Sequence, residues 1–485
     1  MKEQLIPMQQ TIVLPSGFSF DVTNMLGEGR IQPAEVEALA PRIRQAAEGV
    51  EKIRKEGRAK NHLSKDGTPE PVLFPRLPYP GPDSPNTPEL LQELKEFGEQ
   101  VREKQDAVVF CGVGGSYLGG KVLADCCASS YWHRHLDPMP AVFFGGNNVD
   151  PEDADNIRDG LVKLADKCRK DLDRPLRVLL VPISKSGTTL EPTAAFLHYY
   201  SFLTGEESLF QVSCAVVTDK RMEKGPLNRL ARKYGWPMFD VPNGVGGRFS
   251  VLSTPGLVVG AVLGMDLEEL LRGAREMDQA CQGSDLDTNP ALLNAVLKYL
   301  GAKNHGAVME VIMPYSLRLK ALGEWYVQLL AESLGKRKDR DGNTVFYGRT
   351  PVVAIGTTDM HSQTQLHQDG RRDKAVQFLF VDSEKGRVHI RNPFPEITEY
   401  DKYEGLDMGQ ALEVAMESNE EALASDQRLN ALYRLPDVNE YMLGHLFYFL
   451  MLSIAYEGEL ANVDAYDQPG VEIYKRLMGE KLKKR

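Results

Sequence analysis

Val108-Val109-Phe110-Cys111-Gly112-Val113-Gly114-Gly115-Ser116 and Val178-Leu179-Leu180-Val181-Pro182-Ile183-Ser184-Lys185-Ser186-Gly187-Thr188-Thr189 share one plan. Each is an apolar strand that runs into a loop of glycines and hydroxyls, and each loop opens a helix, at Tyr117-Leu118 and at Leu190-Glu191. A phosphate group asks for dense hydrogen-bond donors and close backbone approach, and a helix N-terminus offers unpaired N–H groups and the positive end of its dipole. Glycines let the backbone come near, and Ser and Thr add donors without bulk. Two such loops in one chain, with Lys185 inside the second, point to a phosphorylated small molecule.

Around these loops the pattern is βαβ. Apolar strands are predicted at 107–111, 141–144, 177–183 and 212–217, alternating with helical periods, as in a parallel sheet covered on both faces. A second series begins near Asn294. It holds the apolar segment Gly306–Ile312, a long helix over Ser316–Leu334, strands Val352–Ile355 and Phe378–Val381, and a helix from Asp359. A helical stretch at 256–282 separates the two series. The chain therefore divides into an N-terminal helical and extended segment (1–92), a first α/β domain (93–265), a second (290–455) and a C-terminal helical segment (456–485). Within the first segment, 33–56 is helical and the proline-rich 69–88 is an extended connector.

Composition sets bounds. The 485 residues are 42% hydrophobic and 26% charged, ordinary for a soluble globular protein. With 57 basic against 68 acidic residues the formal net charge is −11, which argues against nucleic acid or an anionic membrane as partner, although one phosphate can still be bound by local donors. Six cysteines, at 111, 126, 127, 168, 214 and 281, match neither a disulfide framework nor a zinc spacing, and fit a reducing cytoplasm. The N-terminus reads as no signal peptide, and the longest apolar run, near Gly256–Leu263, is too short to span a bilayer.

Four further residues carry candidate chemistry. On the helix over 316–334, Leu322, Trp325, Tyr326, Leu329 and Leu330 form the buried stripe. Glu332 lies seven residues after Trp325, roughly 20° away on the helix wheel at about 100° per residue. A carboxylate at that boundary can gain basicity by partial desolvation and still reach a cleft, whereas Glu324 points off the stripe. A capping or snorkelling glutamate would show the same spacing. His361 follows a buried strand, with Asp359 as the expected N-cap, at the strand end where open α/β sheets keep their sites. His367, six residues on, has no metal-ligand spacing to it. A structural histidine is the plain alternative for both. Arg248, after Gly246-Gly247, can be aimed by a tight turn at a developing oxyanion. Lys475, three residues after Glu472, could instead form a solvated ion pair.

Taken together, these segments resemble the phosphoglucose isomerases. The resemblance rests on Gly112–Ser116, Ser184–Glu191, Gly246–Ser250, Ala331-Glu332-Ser333-Leu334-Gly335-Lys336, the His361 segment, and Asp467-Gln468-Pro469-Gly470-Val471-Glu472 with Lys475, in that order along most of the chain. It implies two flavodoxin-like α/β/α sugar-isomerase (SIS) domains with the substrate between them. It also implies interconversion of glucose 6-phosphate and fructose 6-phosphate through an enediolate, in glycolysis and gluconeogenesis.

By this resemblance Ser184, Lys185, Ser186 and Thr189 hold the phosphate, and Gly115, Ser116, Gly247 and Gln468 line the sugar site. Glu332 is then the base between C1 and C2, and Arg248 stabilises the enediolate. His361 and Lys475 assist ring opening, with Glu191 orienting His361. The family implies a homodimer in which His361 crosses the interface. Proton transfer between neighbouring carbons asks for no cofactor and no metal. Pro469, Tyr474 and the charged run Lys336–Asp341 depart from the family's common pattern. A sugar-phosphate sensor could dispense with Glu332, Arg248 and Lys475, and all three are present. An isomerase of an amino sugar or of mannose 6-phosphate is the other alternative, against which the motifs around Arg248 and Gln468 favour the glucose/fructose pair.

Overall fold

The strands predicted around the first glycine loop form a sheet of the expected kind. In the computed structural model, which describes residues 10–64, 66–127 and 140–484, the order is Ala141–Gly145, Ala107–Cys111, Leu176–Pro182, Phe210–Cys214, all parallel. The runs AVVFC and LRVLLVP are almost continuously apolar, as strands covered on both faces must be. The apolar run predicted as one strand at 212–217 is broken after Cys214. Val216–Thr218 stays beside the end of the Leu176–Pro182 strand through the parallel bridge Val217–Ile183 and pairs on its other side with Met238–Asp240. Helices Pro151–Leu172 and Leu190–Gly205 pack on this sheet.

The second sheet is mixed. Parallel strands Leu429–Leu435, Lys374–Val381, Met309–Pro314 and Thr350–Val353 lie side by side in that order. A hairpin from the beginning of the chain, Thr11–Val13 and Ser19–Asp21, adds antiparallel to the free side of Leu429–Leu435. The remote N-terminal residues thus cover an edge that would otherwise present unpaired backbone groups. The predicted helical stretch 256–282 is two helices, Thr254–Val262 and Leu267–Ala280.

Helix Glu440–Ala461 sits at the centre of the molecule. It is apolar on nearly every face, the mark of a fully enclosed helix. It packs against Pro33–Glu56, Leu267–Ala280, Pro290–Asn304 and Lys320–Leu334. Among the described residues no helix is long and apolar enough to cross a membrane.

A buried charge network locks helix Lys320–Leu334 to this centre. Glu310, on strand Met309–Pro314, accepts from Lys298 Nζ (2.8 Å), Tyr326 OH (2.8 Å) and Arg349 Nε (2.9 Å). Arg349 also makes a bidentate pair with Glu457 of the central helix. Breaking a buried ion pair by removing one partner costs roughly 3–5 kcal/mol, so Glu310→Gln should lower the free energy of urea unfolding by about that much. Burial pushes the Glu310 carboxyl up, but Lys298 and Arg349 outweigh it and hold it at about 2, against an ordinary 4.5. A group whose folded pKa is lowered stabilises fully above its unfolded pKa and loses that contribution as pH falls. The parent protein should therefore shed stability from pH 4.5 down to about 2, a component that the variant should lack in the same titration.

Candidate active site

Arg248 organises the site. It is 1% exposed and is the second residue of the 3-10 stretch Gly247–Leu252. Its Nε donates to Ser333 Oγ (2.7 Å), and its Nη2 donates to the carbonyls of Ala465 (2.6 Å) and Asp467 (3.1 Å). Among the described residues Nη1 makes only two long contacts, to Glu332 Oε2 and Gln468 Oε1, both at 3.4 Å. Short bonds fix the plane of the guanidinium, while the nitrogen with capacity to spare faces a carboxylate and an amide. Burial lowers the guanidinium's pKa, and the nearby carboxylates of Glu332 and Asp467 offset part of that. An arginine remains charged under such conditions.

Glu332 stands near the C-terminus of helix Lys320–Leu334, where the wheel reading placed it. Trp325 is buried, Glu324 is exposed, and the Glu332 side chain keeps 27% of its surface. Its Oε1 accepts from Gln328 Nε2 at 3.4 Å. Sequence reading missed Gln328, although four residues before Glu332 on one helix is a same-face spacing that could have found it.

Lys336 was also missed as a site residue. It is 6% exposed, and its Nζ donates to the carbonyls of Glu332 and Asp467, each at 2.7 Å, beside the Asp467 carboxylate at 3.0 Å. Burial lowers its pKa, partly against the pull of Asp467. A lysine just beyond a helix C-terminus was the available signal. The Asn462–Gln468 segment is further held by His62, whose Nδ1 lies 2.9 Å from Asp464 Oδ2. These partners are far apart in sequence and leave no local pattern.

The two glycine loops frame this centre. Gly114–Ser116 forms a 3-10 turn before helix Leu118–Cys127. A Cβ on Gly115 would fall 2.0 Å from the Gly247 carbonyl oxygen, so only glycine permits this approach to the Arg248 loop. Ser250 Oγ seals the contact, donating to the carbonyls of Gly247 (2.7 Å) and Gly115 (3.2 Å).

In the second loop Gly187 takes φ +67°, and its N–H reaches Ser184 Oγ at 3.1 Å. Ser186 Oγ accepts from the Thr188 N–H and hydroxyl. Thr189 is the N-cap of helix Leu190–Gly205 without spending its hydroxyl on a cap bond. Lys185 is exposed and, with Asn243–Gly246, Asp467 and Gln468, lines a cleft of about 410 Å³. Lys185 of this loop and the Gln468 side of the Arg248 cluster therefore border one space.

Among the described residues, the remaining candidates make no hydrogen bond or ion pair with Arg248, Glu332 or Gln468. Glu191 is in the first turn of helix Leu190–Gly205. His361 is exposed, in the 3-10 turn Thr358–His361 rather than in the first turn of an α-helix, which starts only at Thr364. Asp359 nonetheless orders the segment, accepting from Ile355 N–H (2.7 Å) and Ser362 Oγ (2.6 Å). His367 is buried, and burial lowers its pKa. Lys475 is exposed on helix Glu472–Leu482, 3.9 Å from Glu472.

Residues 51–484 match the family model of phosphoglucose isomerase. A glucose-6-phosphate isomerase of Carboxydothermus hydrogenoformans is 37% identical over 387 residues, covering 79% of this chain and 80% of that protein. One of Rubrobacter xylanophilus is 33% identical over 461 residues, covering 95% and 96%. In fold, the chain is similar to a crystal structure of a glucose-6-phosphate isomerase from Chlamydia trachomatis, with TM-score 0.77, 22% identity, and 98% and 90% of the two chains covered.

Proposed function

Because the chain belongs to the phosphoglucose isomerase family, we propose that it interconverts D-glucose 6-phosphate and D-fructose 6-phosphate by moving one proton between C1 and C2 of the open-chain sugar. The observation that carries this reading is the pairing of a half-exposed carboxylate, Glu332, with the spare nitrogen of a buried guanidinium, Arg248, at 3.4 Å. A proton transfer next to a carbonyl needs that combination: a base within reach and a fixed cation for the oxygen that becomes charged.

The phosphate is held by the hydroxyls and amides of Ser184, Ser186 and Thr189 with the Lys185 ammonium, which leaves the reacting carbons free to meet Glu332. Gly115, Ser116, Gly247 and Gln468 surround the sugar. Glu332 removes the hydrogen from C2 of the aldose. The C–H electron pair becomes the C1–C2 double bond, and the aldehyde oxygen takes the negative charge beside Arg248 Nη1. The Glu332 carboxyl then returns the proton to C1. O1 gains a proton, O2 gives one up, and the ketone results with every atom accounted for.

Ring opening precedes these steps. It requires a proton at the ring oxygen and loss of one from the anomeric hydroxyl, work for His361 and Lys475. His361 is exposed and, among the described residues, makes no hydrogen bond or ion pair with Arg248 or Glu332 of its own chain, which supports its delivery to the site of a second copy, where Glu191 orients it. The same reading makes the enzyme a cytoplasmic homodimer of glycolysis and gluconeogenesis.

Glu332→Gln keeps the shape but removes the base, so turnover should fall by about a thousandfold while fructose 6-phosphate still binds. A coupled assay for glucose 6-phosphate, run with chelator present, measures it; near-parental turnover would remove Glu332 from this role. Shared sites make a further prediction. Inactive Glu332→Gln and His361→Ala homodimers, dissociated and mixed, should regain about a quarter of parental activity, because one site in each mixed dimer is whole. No recovery on mixing would place His361 in its own chain's site.

A further inference from the structure

We propose that a second cavity, remote from the Arg248 cluster, binds a small anion carried on a flat ring, and that nucleoside monophosphates are the class it fits. The cavity measures about 470 Å³ and lies between helices Pro33–Glu56 and Pro290–Asn304 and the hairpin Lys336–Lys338/Thr344–Tyr347. That size falls within the roughly 300–1,000 Å³ of small-molecule sites. None of the residues assigned above to phosphate or sugar binding lines it.

Its charge is arranged for an anion. Arg42 Nη1 and Lys303 Nζ, from different helices, converge on one phenol oxygen, Tyr299 OH, at 2.8 and 3.3 Å. Among the described residues neither cation has a carboxylate within 4.0 Å, in a protein whose acids outnumber its bases 68 to 57. Tyr299 OH accepts two cationic donors, and its own hydrogen has no acceptor among the described residues. Two positive charges and a free hydroxyl hydrogen at one point suit a phosphate oxygen. Asp339 also borders the cavity, but its carboxylate is engaged in the hairpin turn by the N–H groups of Asp341 and Asn343 and the Asn343 amide.

Its walls are arranged for a ring. Tyr299 and Tyr347 lie 6.4 Å apart with planes 31° from parallel. Tyr347 is pinned by the hydrogen bond from its hydroxyl to Glu457. Phe346 at the rim is 73% exposed and has φ +46°, a conformation that a bulky side chain rarely adopts. A strained aromatic held out toward solvent at the mouth of a cationic cavity has a use if it stacks on a ligand. The cation–π contacts of Arg42 and Lys303 with Tyr299 link the ring surface to the charge.

The test is calorimetric titration of the full-length protein with AMP, adenosine and inorganic phosphate separately, at equilibrium with saturating sugar phosphate so that the Ser184–Thr189 loop is filled. AMP should bind, with adenosine and inorganic phosphate each at least about tenfold weaker. Lys303→Glu on the surface and the paired Arg42→Gln/Lys303→Gln variant should each weaken AMP by at least about tenfold while isomerase turnover stays unchanged. The proposal is overturned by absence of AMP binding at millimolar concentration, by inorganic phosphate binding as tightly as AMP, or by Lys303→Glu binding AMP like the parent.

Discussion

A charged guanidinium withdrawn from water is the constraint around which this molecule is built. Arg248 can be buried only if its donors are met. They are met by Ser333 at the end of one helix, by the carbonyls of Ala465 and Asp467 from a distant segment, and by the side chains of Glu332 and Gln468. Satisfying the cation thus draws together three stretches that share no local sequence. Lys336 binds two of these stretches a second time, through the carbonyls of Glu332 and Asp467. Each of these partners would be left with an unmet polar group if the others moved, which makes the arrangement stiff.

That stiffness is useful because only Nη1 is left underused. A base that must take and return a proton works best when the developing negative charge is met by a dipole or cation already in place. The fold supplies the rest of the setting. Parallel strands deliver two donor-rich loops at their carboxyl ends, and the Gly115–Gly247 approach presses one of them onto the Arg248 turn. The Glu310 network fixes the helix that carries Glu332 through Tyr326. An overall acidic chain can still hold an anion, since the proposed phosphate cradle of hydroxyls, amides and one lysine acts locally rather than through the mean field.

Much of this was legible in the sequence because it is local. Strands of continuous β-branched and apolar residues, loops of glycine and hydroxyls, and the helical spacing of Trp325 and Glu332 all report on neighbours within a few residues. What could not be read depends on partners far away. The hairpin of residues 11–21 consists of three-residue strands, too short to carry a period, and its place at the edge of the second sheet is set by Leu429–Leu435. The apolar run 212–217 looks like one strand, but it is interrupted at Ala215, and Val216–Thr218 gains a second partner in Met238–Asp240. Lys336 reads as one charge in a charged run, and only the fold shows it to be buried against two carbonyls. The His62–Asp464 contact spans 402 positions and has no sequence signature.

The central claim is that a side-chain carboxylate carries the proton between C2 and C1, and isotope transfer from solvent tests it most directly. With fructose 6-phosphate as substrate in heavy water, a proton resting on Glu332 can exchange before it is delivered, so glucose 6-phosphate formed by the enzyme should carry deuterium at C2. Full turnover to a product with no deuterium at C2 would mean that the hydrogen passes directly from carbon to carbon, and would contradict the role given to Glu332 and Arg248.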